Sequence, residues 1–175
     1  MSAMKRFIPL LLLAGLGPAA ALGQVSALKG HNSNAPVNVA ADRIEVQDRA
    51  DRAILSGNVV VQQGELTLTA PRLTIAYSSG SGVQLRRIDA SGGVTVKSPS
   101  ETARGNVGIY DTEARIITLI GAVSLVQKDA KVNGGRLTID LDSGRAVMDG
   151  GGPPGMSKQG GRVTGTFTVP QKKGG

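Results

Sequence analysis

The stretch that decides the fold is Ser56-Gly57-Asn58-Val59-Val60-Val61, in which a Ser-Gly step precedes a run of valines. Sixteen residues after Gly57 the chain continues with Leu73-Thr74-Ile75, where apolar and polar residues alternate. Short runs of β-branched and aliphatic residues between Gly, Ser, Asp and Pro are typical of strands and turns. This stretch therefore predicts two neighbouring strands, the first opened by a glycine.

The same phrase occurs twice more in the chain. Ser91–Val96 is followed by Val107–Ile109, fifteen residues after its first glycine. Gly121–Leu125 is followed by Leu137–Ile139, sixteen residues after its glycine. Self-similarity at a fixed period indicates a stacked, quasi-one-dimensional β architecture in which each repeat packs on its neighbours.

The first 23 residues are predicted to be a cleavable secretory signal peptide. Lys5 and Arg6 form the positive region, Phe7–Leu16 is the apolar region, and Ala19–Gly23 supplies small residues before a cleavage site at Gln24. The apolar region is about half as long as a membrane-spanning helix. The chain is therefore expected to be exported to the periplasm, and removal of the signal lowers the net charge from +7 to +5.

Composition divides the rest of the chain into three parts. Residues 24–35 are expected to form a flexible N-terminal segment, and 36–150 a single β domain. Residues 151–175 form a Gly- and Pro-rich tail with a possible terminal strand at 162–169. The chain has no cysteine, so it forms no disulfide and no thiolate metal site.

Alternation with a period of two predicts that one face of each strand is buried. The inward faces are almost wholly aliphatic, and the chain has two Phe, two Tyr and no Trp. Such faces either interdigitate into a core or leave a trough that an apolar guest fills. They lack the aromatic platforms that stack on bases or sugars. The residues predicted to line the trough are Val37, Val39, Val46, Leu55, Val59, Val61, Leu66, Leu68, Leu73, Ile75, Val94, Val96, Ile109, Leu119, Val123, Leu125, Leu137 and Ile139.

No catalytic or metal-binding constellation is found in the sequence. The single histidine, His31, lies in a polar stretch without companions at metal-ligand spacing and is expected to be a solvated loop residue. Asp140 and Asp142 have the spacing of paired carboxylates, but they alternate with the apolar residues of their strand and are expected to face solvent. We therefore predict no catalytic residues, no metal and no cofactor.

With these features the chain resembles the OstA-like family of lipopolysaccharide-transport proteins. The resemblance covers roughly 36–150, and its most specific part is the Gly-Asn-Val-x-Val-x-Gln-Gly phrase that starts at Gly57. The segments that carry it are Pro36–Asp42, Leu55–Gly64, Leu66–Leu73, Ile88–Val94 and Leu119–Val123.

The resemblance implies an all-β fold, a twisted, semi-closed antiparallel β-jelly roll, also called a β-taco, of stacked strands. It implies a non-enzymatic carrier that conducts lipopolysaccharide across the periplasm for outer-membrane assembly, with the lipid A acyl chains in the trough. The implied partners are a membrane-anchored relative at the inner membrane, the N-terminal domain of the outer-membrane translocon, and further copies of the chain joined end to end. Arg86, Arg87 and Lys97 are weak candidates for contacts with the anionic head group.

Charge and edge geometry are compatible with this interpretation. A basic surface attracts polyanions, and export makes nucleic acid an unsuitable partner. An open stack leaves unpaired strand edges, which can be extended by a strand of a neighbouring protein. Two alternatives stay open: a β-solenoid that binds or cleaves periplasmic polysaccharide, and a structural module whose trough is sealed by its own side chains.

Overall fold

The structure is a computed structural model that describes residues 28, 31–80, 82–151 and 161–168. The signal peptide predicted for residues 1–23 lies outside these residues. The described part contains ten strands and one short 3₁₀ helix, Asp48–Ala50. The strands are β1 (Val37–Ala40), β2 (Arg43–Gln47), β3 (Arg52–Gln63), β4 (Leu66–Ser78), β5 (Gln84–Lys97), β6 (Glu101–Asp111), β7 (Ile116–Gln127), β8 (Ala130–Asp140), β9 (Arg145–Asp149) and β10 (Thr164–Phe167).

The strands form one antiparallel sheet that does not close on itself. The six long strands, β3 to β8, pair with their sequence neighbours in order. At one edge both β1 and β2 pair with β3, and at the other both β9 and β10 pair with β8. Each long strand thus takes part in two ladders. One half of the strand belongs to the ladder whose outermost strands are β1 and β10, and the other half belongs to the ladder whose outermost strands are β2 and β9.

The two halves of each long strand are separated by a break in register, and the breaks are aligned across the whole sheet. They fall between Ser56 and Val59 on β3 and recur in each successive pair up to Ile120 and Val123 on β7. A β-bulge bends its strand and increases the local twist. We call this row of bulges the bulge line, and it is where the sheet turns back on itself.

The repeated glycines of the sequence lie on the bulge line. Gly57 and Gly121 have φ angles of 77° and 83°, in the left-handed region that residues with a Cβ disfavour. A side chain from the neighbouring chain segment packs over each: Asp42 over Gly57 and Asn106 over Gly121. Asp42 also accepts a hydrogen bond from the side chain of Asn58 at 2.9 Å. The period seen in the sequence is therefore the spacing between successive corners of the sheet.

A single hydrogen bond demonstrates how far the strands bend. The Tyr110 hydroxyl donates to the side-chain oxygen of Gln63 at 3.0 Å. Through the ladder, Tyr110 is in register with Ala53 of β3, ten residues from Gln63. In a flat sheet these positions would be about 30 Å apart. The sheet is therefore folded into two facing layers.

We call the layer that contains β1 and β10 the first layer and the one that contains β2 and β9 the second layer. The aliphatic rows of both layers meet between them. The side chains of Leu55, Val59, Leu73 and Leu119 have no solvent exposure. This arrangement confirms the semi-closed antiparallel β-jelly roll expected from the sequence.

The ends of the domain agree in part with the expected boundaries. β10 lies within the stretch 162–169 and pairs with β8, from Thr164 opposite Asn133 to Phe167 opposite Ala130. The described residues include no helix that is long and apolar enough to cross a membrane.

Substitution of a corner glycine tests whether the bulge line controls stability. We expect Gly121→Ala to lower the free energy of unfolding by about 1–3 kcal/mol, because alanine must adopt a strained φ and its Cβ would lie 2.8 Å from the Asn106 side-chain nitrogen. Gly80→Ala is the control, since its Cβ would meet nothing within 4 Å, and should change stability by less than about 0.5 kcal/mol. Urea denaturation measures both; equal stability of the two variants would contradict the account.

Candidate functional site

The space between the layers is the candidate site, and it contains most of the residues predicted to line a trough. Thirteen of the eighteen are buried: Leu55, Val59, Val61, Leu66, Leu68, Leu73, Val94, Val96, Leu119, Val123, Leu125, Leu137 and Ile139. Val37 and Ile75 are partly buried and pack against this cluster. Val39 and Val46 lie on the same inward rows but remain exposed, because they belong to the edge strands β1 and β2.

Ile109 is the one predicted residue that does not face the interior. It pairs with Asp89 on β5 and Thr118 on β7, which lie on the outer face. Its neighbours Gly108 and Tyr110 take the inward positions instead. The prediction for Ile109 is wrong because apolarity was taken as the guide to the face, whereas the register of β6 assigns the inward row to a glycine and a tyrosine.

Sequence reasoning missed several interior residues that the register brings to the same rows. The missed set is Leu28, Ala70, Ile88, Ala90, Ala103, Tyr110, Ile117 and Leu141. Ile117 and Leu141 alternate with residues that were included, so the same periodicity would have found them. Ile88 follows two arginines, and Leu28 comes before the first strand, so no periodic signal marks either residue.

The interior is closely packed beside the bulge line, where the inward side chains interdigitate. Gly105 and Gly108 of β6 are contacted by the Leu119 side chain, and Val94 also packs against Gly108. A Cβ on Gly108 would lie 3.0 Å from Val94 and 3.1 Å from Leu119. Small residues on β6 therefore allow the opposing layers to approach closely, and the side chains fill the space themselves.

The inward rows become accessible at the two edges of the sheet. At the β1–β2 edge, Val39, Ile44 and Val46 are 37, 50 and 60% exposed, although they pair with the interior residues Val61, Leu55 and Ala53. At the other edge Phe167 of β10 is 60% exposed on the inward side of its strand. The apolar interior thus continues to both edges, where no described residue covers it.

The long side of the fold opposite the bulge line is the seam, where the ends of the strands of the two layers meet. Gln63 is the polar centre of the seam and is 5% exposed. Its side-chain nitrogen donates to the carbonyl oxygens of Ser33 and Ala35 at 2.8 and 3.1 Å, and its oxygen accepts from Tyr110. Burial raises the pKa of Tyr110, so the phenol stays neutral and donates.

The described residues before β1, Leu28 and residues 31–35, bridge the seam, and we call them the strap. The backbone N–H of Leu28 donates to the Glu101 carboxylate at 2.9 Å, and the Leu28 side chain is buried in the core cluster. His31 hydrogen-bonds Gln63 through its Nε2 at 3.2 Å. On the other layer, the Arg115 guanidinium donates to the Asn34 side-chain oxygen at 3.1 Å.

Residues 24–35 were expected to be a flexible segment, and this stays a prediction. Within it, Leu28 and 31–35 hydrogen-bond Gln63, Glu101 and Arg115. His31 is half-buried and hydrogen-bonded rather than a solvated loop residue.

Glu101 is the one buried carboxylate of the seam region among the described residues. Burial raises its pKa, and the hydrogen bonds from the Leu28 N–H and the Ser100 side chain act in the opposite direction. It lies at the end of β6 beside the β5–β6 turn, in the first layer. Glu101 has no cationic partner among the described residues. Burial of a carboxyl is costly, and the strap supplies one of its hydrogen bonds.

The three candidate head-group residues are not brought together. Arg87 makes a bidentate contact with Asp89 at 2.8–3.0 Å, which raises the pKa of the guanidinium, and Arg86 pairs with Glu113 at 3.3 Å. Both arginines are at one end of β5, and Lys97 is at its other end. A head-group role for these residues stays a prediction.

The described residues offer no arrangement suited to catalysis by metal or paired acids. No group of three or more His, Cys, Asp or Glu side chains among them is placed to hold a metal ion. Asp140 accepts hydrogen bonds from the backbone N–H groups of Asp142 and Ser143, which lowers its pKa, while Asp142 pairs with Arg115 at 2.9 Å. This carboxylate pair therefore stabilises the β8–β9 turn.

Comparisons with known proteins agree with this geometry. The chain is similar to an uncharacterized protein of Rhizobium meliloti (strain 1021), 30% identical over 163 residues that cover 85% of this chain and 88% of that protein. It is similar to the lipopolysaccharide export system protein LptA of Haemophilus influenzae, 24% identical over 68% of this chain and 73% of that protein. The LPS-assembly protein LptD of Yersinia pestis matches over 45% of this chain and 10% of LptD, at 37% identity.

The same fold has been solved in the crystal structure of LptH, the LptA-homologous periplasmic component of the lipopolysaccharide transport device of Pseudomonas aeruginosa. The two superpose with a TM-score of 0.67 and 20% identity, over 78% of this chain and 98% of LptH. The family model described as LptA/(LptD N-terminal domain) LPS transport protein matches residues 38–145. These matches confirm the resemblance found in the sequence: the chain belongs to the LptA/LptD N-terminal domain family of LPS transport proteins.

Proposed function

We propose that this protein is a periplasmic, non-enzymatic carrier that forms part of a protein bridge and conducts lipopolysaccharide from the inner to the outer membrane. The observation that carries the proposal is the continuity of the apolar inward rows with two sheet edges that no described residue covers. Val39, Ile44 and Val46 extend the interior at one edge, and Phe167 extends it at the other. Membership of the family supplies the lipid class.

The physical role of such a conduit follows from the cost of exposing acyl chains to water. Burial of one methylene contributes about 0.8 kcal/mol, so a chain of a dozen carbons contributes on the order of 10 kcal/mol. A lipid held this tightly does not cross water on its own. Continuous aliphatic rows allow the chain to move between equivalent contacts, and an outside source of energy drives the direction.

The edges supply the junctions of the bridge. Short edge strands of four or five residues, β1 and β2 on one side and β9 and β10 on the other, present backbone groups that no described strand pairs. Strand addition at both layers would continue the sheet and its apolar rows from one protein into the next. The partners proposed for these edges are another copy of the chain, the membrane-anchored inner-membrane relative and the N-terminal domain of the outer-membrane translocon.

The packed interior also favours a second candidate, a structural module that binds proteins only. Such a module keeps its core closed and carries no lipid. The carrier must instead separate its layers or use its edges to admit acyl chains. The presence or absence of lipid bound to the protein isolated from periplasm, determined by native mass spectrometry, separates the two.

Alternation on β2 allows a sharp test of lipid contact. With a benzophenone side chain at Ile44 or Val46, we expect photocrosslinks to lipopolysaccharide, because these positions face the interior row yet are half or more exposed. At Arg43 or Glu45, one residue away on the outer face, we expect few or none. Immunoblots for crosslinked lipopolysaccharide measure all four; equal yields on both faces would contradict the assignment.

A charged substitution on β10, at the edge opposite β1 and β2, tests whether this edge joins a neighbouring protein. Phe167→Asp places a carboxylate where the inward row of β10 would meet a neighbour, and an unpaired buried charge is costly. We expect end-to-end self-association, measured by sedimentation velocity, to weaken by about tenfold or more. Val83→Asp is the matched control, since Val83 is 77% exposed in the loop between β4 and β5 and far from both edges. Association of both variants at the wild-type level would refute an edge junction.

A further inference from the structure

We propose that the outer face of the first layer binds an extended anionic polysaccharide that is separate from the carried lipid. The inference goes beyond the carrier function, which uses the interior and the sheet edges. The surface consists of two outward rows of side chains that cross the first layer from β1 to β10, and we call it the cationic face.

The cationic face carries charge of one sign. One of its rows contains Lys97 on β5 and Lys131 on β8, and the other contains Arg104 on β6. All three side chains are exposed. Neither row contains an Asp or a Glu. A surface of this kind attracts polyanions.

The cations of this face have no counter-ions in the described part of the chain. All four ion pairs between described residues, among them Arg87–Asp89, belong to the second layer and its turns. Lys97, Arg104 and Lys131 take part in none of these pairs. The second layer thus neutralises several of its own arginines, whereas the first layer leaves its outward cations available to an external anion.

The spacing of the three cations suits a polymer. Lys97 and Lys131 occupy the same row three strands apart, which corresponds to about 14 Å. Arg104 lies diagonally across from Lys97 on the next strand, at about 7–8 Å. A single phosphate or carboxylate cannot contact both ends of this line. A chain that carries anionic groups at intervals contacts all three cations.

The other side chains of the cationic face suit a sugar better than a protein or a bilayer. Gln62, Thr67 and Thr95 offer amide and hydroxyl groups that hydrogen-bond sugar hydroxyls. The two large apolar residues of the rows, Val60 and Val126, are half-buried, and the rows contain no aromatic residue. Protein interfaces and interfacial membrane binding use apolar and aromatic side chains. Without ring stacking, affinity for a sugar depends on charge, so the polysaccharide must be anionic.

A cavity next to the rows offers a concave seat for one sugar unit. It has a volume of about 360 Å³ and lies at the bulge line, where Asn58, Val60, Thr69 and Pro71 contribute to its lining. Thr69 belongs to the same row as Arg104 and is two strands away from it. A flat bilayer surface would not fill such a cavity.

Removal of the three cations tests the proposal. The probe is immobilised polygalacturonate, a polymer of acidic sugars without acyl chains, and binding is measured by biolayer interferometry. We expect the wild type to bind it and to leave neutral dextran unbound. The triple variant Lys97→Gln, Arg104→Gln and Lys131→Gln should bind about tenfold more weakly or worse. Its affinity should also depend less on salt, because fewer counterions are released.

The matched control removes the same charge from the second layer. Arg49→Gln, Arg52→Gln and Arg145→Gln alter three exposed cations that take part in no ion pair between described residues. We expect this variant to lose less than about threefold in affinity, since charges beyond a Debye length of the ligand are screened. Unchanged thermal unfolding of both triple variants establishes that they are folded.

Each outcome supports or overturns the polysaccharide site. Weakened binding in the first-layer variant alone supports it. Equal weakening in both variants reduces the effect to net charge and overturns it, as does failure of the wild type to bind polygalacturonate. Tighter binding to phosphatidylglycerol vesicles than to polygalacturonate would assign the face to a membrane and overturn the polysaccharide. The substitutions leave the interior rows unchanged, so the carrier function is tested separately.

Discussion

The structure depends on the backbone geometry of the bulge line. Each long strand must bend midway along its length so that its two halves face each other, and residues with positive φ, such as Gly57 and Gly121, mark these corners on β3 and β7. Without these corners the strands would extend as a flat sheet, and the rows that include Leu55 and Leu119 would face water. The cost of the strained corners is offset by the apolar area that the two layers bury between them.

The same corners explain why one side of the molecule is rigid and the other is held by side chains. Across the bulge line the layers are continuous backbone. Across the seam they are joined by the Tyr110–Gln63 bond and by the strap, which are side-chain contacts. A fold with one covalent side and one hydrogen-bonded side is most easily separated along the hydrogen-bonded side, and separation of the layers is one of the two routes by which the proposed carrier can admit acyl chains.

Much of this fold follows from local sequence patterns. The three segments that begin with a glycine predicted the repeat. Each of these corners needs a residue with positive φ, and a glycine at one position, Gly57 or its counterpart, meets that need. Period-two alternation placed thirteen of the trough residues correctly in the interior. Ile109 was misplaced because apolarity was taken as the guide to the face, whereas the register of β6 assigns the inward row to Gly108 and Tyr110.

Sequence patterns could not predict the contacts of the seam. Gln63 and Tyr110 are 47 residues apart, and their contact exists only because the whole sheet folds over. Leu28 belongs to a polar, Gly-containing stretch whose composition is typical of a flexible segment, and a single buried leucine has no period to reveal it. Non-local contacts of this kind depend on the completed fold.

The most direct test of the account is the distance between the layers with and without ligand. Spin labels at Glu65, in the β3–β4 turn of the first layer, and at Ala114, in the β6–β7 turn of the second, are exposed and lie on opposite layers of the fold. Double electron–electron resonance on the full chain gives their distance distribution. The account predicts a shift to longer distances when lipopolysaccharide is added; an unchanged distribution with lipopolysaccharide bound would contradict it.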